Sequence, residues 1–247
     1  MQHLHFNKKE ILKQAPKNFI KTFIQQQNTE RRYRKDGVHF RTTAPEKLAS
    51  AYSAMDSHGF QAINGRQEWA NWRTIPLSLS GNIPNHPLFL IDLGCGIGAS
   101  TEVLAYYLPL GSEILGIELN PQFVQIASER TFFHQSHSSI KTTFSCQNLQ
   151  ERFRSPSYEV VSAETVDYIN SSGVVGHHFN RTQFQLLTQE LKRVLRPQGV
   201  LALDVGPTLS QAQMRSILEP LGFSFLKRVR CSFFDPYGQA LFKKQAD

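Results

Sequence analysis

From Leu88 to Gly98 the chain reads Leu-Phe-Leu-Ile-Asp-Leu-Gly-Cys-Gly-Ile-Gly, and no other stretch constrains the fold as much. A short apolar run ends in Asp92, and glycines then occupy every second position, at Gly94, Gly96 and Gly98. Such a run, bounded by turn residues, predicts a buried strand. Glycine lacks a Cβ, so the loop that follows can take positive φ and let a ligand approach the backbone. Ala99 to Tyr107 then predicts a helix whose N-terminus directs partial positive charge at a bound group. Ser112 to Asn120 repeats the pattern, an apolar strand ending in Glu118. One helix and one strand separate Glu118 from the glycines, and a carboxylate there can accept hydrogen bonds from both hydroxyls of a ribose.

These residues resemble the first motif of the class I S-adenosylmethionine-dependent methyltransferases: an acid, any residue, then Gly-x-Gly-x-Gly. The similarity runs from Leu88 to Lys244. It implies an α/β fold, Rossmann-like and doubly wound, with a mostly parallel sheet that ends in an antiparallel hairpin. It also implies S-adenosylmethionine as cofactor. The resemblance places Asp92 near the ammonium group of that cofactor and Gly94, Cys95, Gly96 and Gly98 along the loop beside it. It places Glu118 and Leu119 at the ribose, Asn148 (with Gln147 next to it) at the adenine, and Ser171, Ser172 and Gly173 near the transferring methyl. A rival reading exists, because Gly94 to Ala99 also satisfies the dinucleotide fingerprint. Asp92 counts against it, since an acid just before the loop would repel a pyrophosphate.

Lys141 to Cys146 reads as a third strand, although Tyr158 to Ala163 is equally strand-like. Val166 to Ser171 resembles the fourth strand of the family, and His177 and His178 follow it. An imidazole near the reacting centre can take a proton from a hydroxyl or amine nucleophile, so both histidines are catalytic candidates. Packing or capping is the alternative for each. Phe184 to Arg196 has apolar residues at helical spacing, Arg196-Pro-Gln-Gly199 breaks it, and Val200 to Val205 is a fifth strand. Met214 to Leu221 predicts a helix, and Gly222 to Arg230 and Gln239 to Lys243 predict two strands joined by a turn at Asp235 to Gly238. Strands joined by a turn pair antiparallel, unlike the end of a nicotinamide domain.

Residues 1–87 read as a basic helical extension and lid, and residues 88–247 as the cofactor-binding domain. Residues 1–40 hold nine Lys or Arg against three acids, which is +6 of the chain's +7. Ile11, Ala15, Phe19 and Phe23 form a stripe with Leu12, Ile20 and Ile24 beside it, and Pro16 cuts the stripe or starts a fresh helix. This segment is either an arm for nucleic acid or an anionic membrane, or a helix packed on the domain with a solvated basic face, which is preferred. Trp69 and Trp72, three apart, share a helix face. They are candidates for the acceptor pocket, with His58 and Asp56 as polar groups, or else they fill the core of the lid. Ser80 to Pro87 connects the lid to the first strand.

No apolar run approaches the roughly 18 residues that span a bilayer, and the N-terminus lacks the apolar core of a signal peptide. Three cysteines, scattered, suit neither a disulfide framework nor a zinc site. A cytoplasmic protein is expected. The expected activity is methyl transfer to an O, N, S or C nucleophile of a small-molecule acceptor. An RNA or protein methyltransferase guided by the basic arm, and a non-catalytic cofactor-binding module, are the alternatives.

Overall fold

The computed structural model describes residues 16–40, 42–55, 57–230 and 238–246. The expectations for residues 1–15, Asp56 and the Asp235–Tyr237 turn lie outside them, as does the side chain of His58.

Three helices come first: α1 (Pro16–Lys35), α2 (Pro45–Ser53) and α3 (Ser57–Leu79). Then follow β1 (Phe89–Leu93), α4 (Ala99–Tyr107), β2 (Glu113–Glu118), α5 (Pro121–Ser128) and β3 (Lys141–Cys146). After them come β4 (Val166–Ser171), the short α6 (Val175–His178), α7 (Arg181–Val194), β5 (Leu195–Val205), α8 (Gln211–Leu218), β6 (Phe223–Val229) and β7 (Gly238–Lys244). The strands form one sheet in the order β3-β2-β1-β4-β5-β7-β6. The first five are parallel, and β7 lies antiparallel between β5 and β6. The seven-stranded sheet with helices around it is a Rossmann-like, doubly wound arrangement that ends in an antiparallel pair.

The parallel strands are nearly continuous apolar runs because both faces of the sheet are covered. One face carries a core that includes Ile91, Leu93, Phe184, Leu187 and Leu191. The other carries Leu90, Val103, Leu104 and Tyr168 together with Trp72, Ile75 and Leu79 of α3. The second half of α3 is thus part of the core that the strands build, across the expected boundary at residue 87. Helix starts follow local chemistry: Asn180 with Gln183, and Ser210 with Gln213, form capping boxes on α7 and α8.

Two strand expectations change. The Tyr158–Ala163 segment makes only an isolated bridge, Arg154 to Val160, so Lys141–Cys146 is the third strand of the sheet. The Arg196–Gly199 turn falls inside β5 instead of before it: pairing with β4 jumps from Val166–Leu195 to Tyr168–Val200. The extra residues loop out, with Gln198 at φ 66°. Arg196 within this loop forms an ion pair with Asp167, whose other oxygen accepts from the Phe89 amide at 2.7 Å.

Candidate active site

Ligands of doubly wound sheets bind beyond the carboxyl ends of the strands, where the strand order reverses. Here that point lies between β1 and β4, and a cavity of about 890 Å³ opens there. Gly94 and Gly96, Glu118 and Leu119, Asn148, and Ser172 to Val174 form its floor. Its roof comes from α1 (Phe23, Gln26, Gln27, Glu30), α2 (Leu48, Tyr52), α3 (Ile63, Asn64, Arg66, Gln67) and from Phe40, Thr42 and Thr43.

The floor is held mainly by backbone groups. Gly94 sits at φ 61°, and a Cβ on it would lie 2.3 Å from the Val174 side chain, so only glycine fits. Glu118 accepts from the amides of Leu119 (2.8 Å) and Asn120 (2.9 Å) at Oε1, and from Gly96 (3.0 Å) at Oε2. Burial holds its pKa above the ordinary carboxylate value, and these three bonds offset only part of that rise. A carboxylate has about four acceptor positions, so Oε2 keeps one for a ligand hydroxyl. Gly98 caps α4 at φ 90° with no side-chain cap.

On the far side of the floor stands His177. Its Nδ1 lies 3.0 Å from Asp204 Oδ2. Asp204, at the end of β5, also accepts from Ser171 Oγ (2.5 Å), Val175 N (3.0 Å) and Gly176 N (2.9 Å). Burial alone would raise the Asp204 pKa, but the hydrogen bond and charge of His177 and the bond from Ser171 together hold it below the ordinary value. An ionised Asp204 accepts only, so the neutral form of His177 carries its proton on Nδ1, which makes Nε2 its acceptor nitrogen. The His177 side chain stays 26% exposed and lines the cavity. His178 lines it too, with Nδ1 3.2 Å from the Thr42 carbonyl. Burial, helped by the nearby His177, lowers its pKa to about 4, so it is neutral at pH 7.

Residues 90–199 match the family described as "Methyltransferase domain". That region of the chain is similar to methyltransferase domains. A curated relative, the carboxy-S-adenosyl-L-methionine synthase of Hydrogenovibrio crunogenus (strain DSM 25203 / XCL-2), is 25% identical over 142 residues. That match covers 58% of this chain and spans about half (51%) of the relative. Among solved structures, the magnesium protoporphyrin IX methyltransferase of Synechocystis PCC 6803 with bound SAM superposes with a TM-score of 0.55 at 20% identity, covering 77% of this chain and 85% of that one. The putative methyltransferase bound to the Haloferax volcanii Trm112 activator gives 0.59 at 14% identity, covering 77% and 96%. At these identities the two structures share the fold.

Within the matched region, the cavity gathers Gly94, Gly96, Glu118, Leu119, Asn148, His177 and His178. Several other expected contacts lie outside the cavity lining. Asp92 is fully buried behind the loop, where it accepts from Ser100 Oγ (2.7 Å), Thr101 Oγ1 (2.7 Å) and Asn170 Nδ2 (2.8 Å). It ties β1 to α4 and β4 and is no part of the cavity wall. Cys95 turns inward against Gly116 and Phe144, and burial pushes its thiol pKa well up. Gly98 packs beside Phe132 and Arg130, beneath the cavity. Ser171 points at Asp204, while its neighbours Ser172 and Gly173 reach the cavity.

Trp69 and Trp72 do share a face, but it is the face that α3 buries. Trp72 packs edge-on against Tyr106 (5.6 Å) and Tyr107 (6.4 Å), and Arg73 stacks on Trp69 at 3.8 Å. Neither lines the cavity; Asn64 and Gln67, earlier on the helix, do. Of the two amides after β3, Asn148 lines the cavity, while Gln147 accepts from Arg154 N at 3.2 Å. The functional residue that sequence reasoning missed is Asp204. Its signal was present: Leu201-Ala-Leu-Asp204 is an apolar strand ending in an acid, as at Asp92 and Glu118.

Proposed function

We propose that this protein transfers the methyl group of S-adenosylmethionine to a small-molecule acceptor whose nucleophile is a hydroxyl or amine, and that His177 takes up the proton. The observation that carries this reading is the His177–Asp204 pair in the cavity wall. The floor fits the cofactor: Glu118 Oε2 has room for a ribose hydroxyl, Asn148 offers an amide to an adenine edge, and the turn at Gly94 and Gly96 leaves space along the backbone. The cofactor, when bound, supplies an electrophilic methyl on a sulfonium.

The chain's own residues do the rest. Asp204 fixes the His177 ring and keeps the proton on Nδ1, so Nε2 is free of a proton and can accept one from the acceptor. His178 stays neutral, so a proton arriving on His177 meets no second imidazolium. The roof helices narrow the cavity and exclude water. The 42–43 segment is held to the floor by His178 and by Gln183, whose Nε2 donates to the Thr43 carbonyl at 2.6 Å. A volume of about 890 Å³ falls in the upper part of the range for small-molecule sites, roughly 300–1,000 Å³. A roofed cavity of this size supports a small acceptor over a macromolecular one.

The test couples calorimetry with product analysis. S-adenosylhomocysteine should bind the wild-type chain, with NADH as the control, and Glu118→Ala should weaken it by about tenfold or more, the equivalent of about 1.4 kcal/mol. An acceptor panel followed by mass spectrometry should yield a methylated acceptor and S-adenosylhomocysteine. Appearance of an enlarged cofactor, the kind of product that the name of the Hydrogenovibrio relative describes, would replace methyl transfer with cofactor modification. Preference for NADH would sink both.

A further inference from the structure

We propose that the outward face of α1 docks on an anionic lipid bilayer, next to the mouth of the cavity. This inference does not depend on the methyl-transfer reading. Ile20 and Ile24, one turn apart, are 56% and 52% exposed, and Phe23 between them is 40% exposed while also lining the cavity. The opposite side of α1 is already used. Thr29 and Glu30 are buried, the Thr22 methyl lies against Gly65 of α3, and the Tyr33 ring lies against Gly59. The isoleucines are therefore left outside by a helix that is otherwise packed.

Charge says what covers them. Three helical turns past Ile20 and Ile24, on the same face, stand Arg31 and Lys35, both exposed. Lys21, Arg32 and Arg34 are exposed beside them. The one acid within α1, Glu30, is buried on the inner side; Asp36 follows the helix. A face with aliphatic residues at one end and cations at the other is that of an interfacial helix, whose apolar side chains enter the headgroup boundary while Lys and Arg meet anionic lipid. Single-stranded RNA would use several aromatic stacking platforms, whereas among its described residues this face sets two isoleucines around the single ring of Phe23. The helix would lie on the surface, since none of the described helices is long and apolar enough to cross a membrane. Because Phe23 belongs to both the docking face and the cavity, the arrangement places the cavity mouth at the lipid surface.

The experiment is co-sedimentation of the full chain with vesicles of phosphatidylcholine alone or mixed with phosphatidylglycerol. Binding should appear with phosphatidylglycerol, rise with its fraction and fall with salt. The double substitution Ile20→Ser/Ile24→Ser should weaken it by about tenfold or more, and Arg31→Gln/Lys35→Gln should weaken it and flatten its salt dependence. S-adenosylhomocysteine affinity should be unchanged in both variants, which separates loss of docking from loss of fold. No vesicle binding, binding undiminished by the serine pair, or a dimer that the serine pair converts to monomer without vesicle binding would each overturn the proposal. Salt-sensitive RNA binding in place of vesicle binding would do the same.

Discussion

The floor and the roof of the cavity are made in different ways. The floor is built by four strand ends and the loops directly after them. Its geometry comes from backbone: the φ of Gly94, and the amides of Gly96, Leu119 and Asn120 converging on one carboxylate. The roof is built by side chains from three helices, few of whose positions are set by local sequence. Floor and roof meet through single contacts, such as Asn120 Nδ2 to Ser53 Oγ at 3.3 Å and His178 to the Thr42 carbonyl. A backbone-built wall suits a ligand that never changes, and a side-chain-built wall suits one that defines the individual enzyme.

The strongest way to break this division is at His177, which stands where the two walls join. His177→Gln should lower kcat by about 100- to 10,000-fold with S-adenosylhomocysteine affinity nearly unchanged. A matched loss of affinity would place His177 with the cofactor instead. Next in size is Gly94→Ala. It forces a Cβ into Val174 at positive φ, so it should cost on the order of 1–3 kcal/mol of stability and weaken cofactor binding. Denaturant titration of the variant with and without S-adenosylhomocysteine reads both. If Gly94→Ala binds as well as the wild type, the floor does not depend on its backbone.

A smaller effect appears against pH. His178, lowered from 6.5 to about 4, favours the fold above its unfolded pKa and loses that contribution as pH falls through 4. Glu68 of α3, raised from 4.5 to about 7 by burial and then by Glu102, favours the fold below its unfolded pKa and loses that contribution as pH rises through 7. The two slopes oppose each other over the same window. Between pH 4.5 and 6.5, His178→Gln should become less stable as pH rises, and Glu68→Gln more stable, in urea midpoints. Parallel slopes in the two variants would refute the opposition. The smallest effect is expected in the roof: Leu48→Ala should change KM for the acceptor several-fold and leave cofactor affinity alone. Equal losses of both would erase the distinction between the walls.

The same division explains what could be read from the sequence. Asp92 to Gly98 and Glu118 lie in short contiguous stretches whose spacing is itself the geometry, so the cofactor side and the parallel strands were legible. Which of those residues face the cavity was not. Cys95 and Ser171 sit beside residues that do but turn inward, and Gly98 packs beside Phe132 and Arg130. Asp92 carries the motif but acts through Ser100, Thr101 and Asn170, a role that depends on β1 pairing with β4. Periodicity placed Trp69 and Trp72 on one face, yet it cannot tell what that face meets. Asp204 was overlooked because its partner His177 lies 27 residues earlier and reaches it only through the fold.

The placement of β7 between β5 and β6 bears on how the molecule is made. Gln239 of β7 accepts from Ser78 Oγ, 161 residues earlier, and donates to Asn170 Oδ1 and the Ser171 carbonyl. During synthesis β6 therefore emerges before the strand it pairs with, and β5 waits with an open edge. Neither can close until residues 238–244 leave the ribosome. Over that interval the nascent chain offers two unpaired strand edges to its surroundings, a demand for chaperone protection that a sheet with its last strand at the margin would not make.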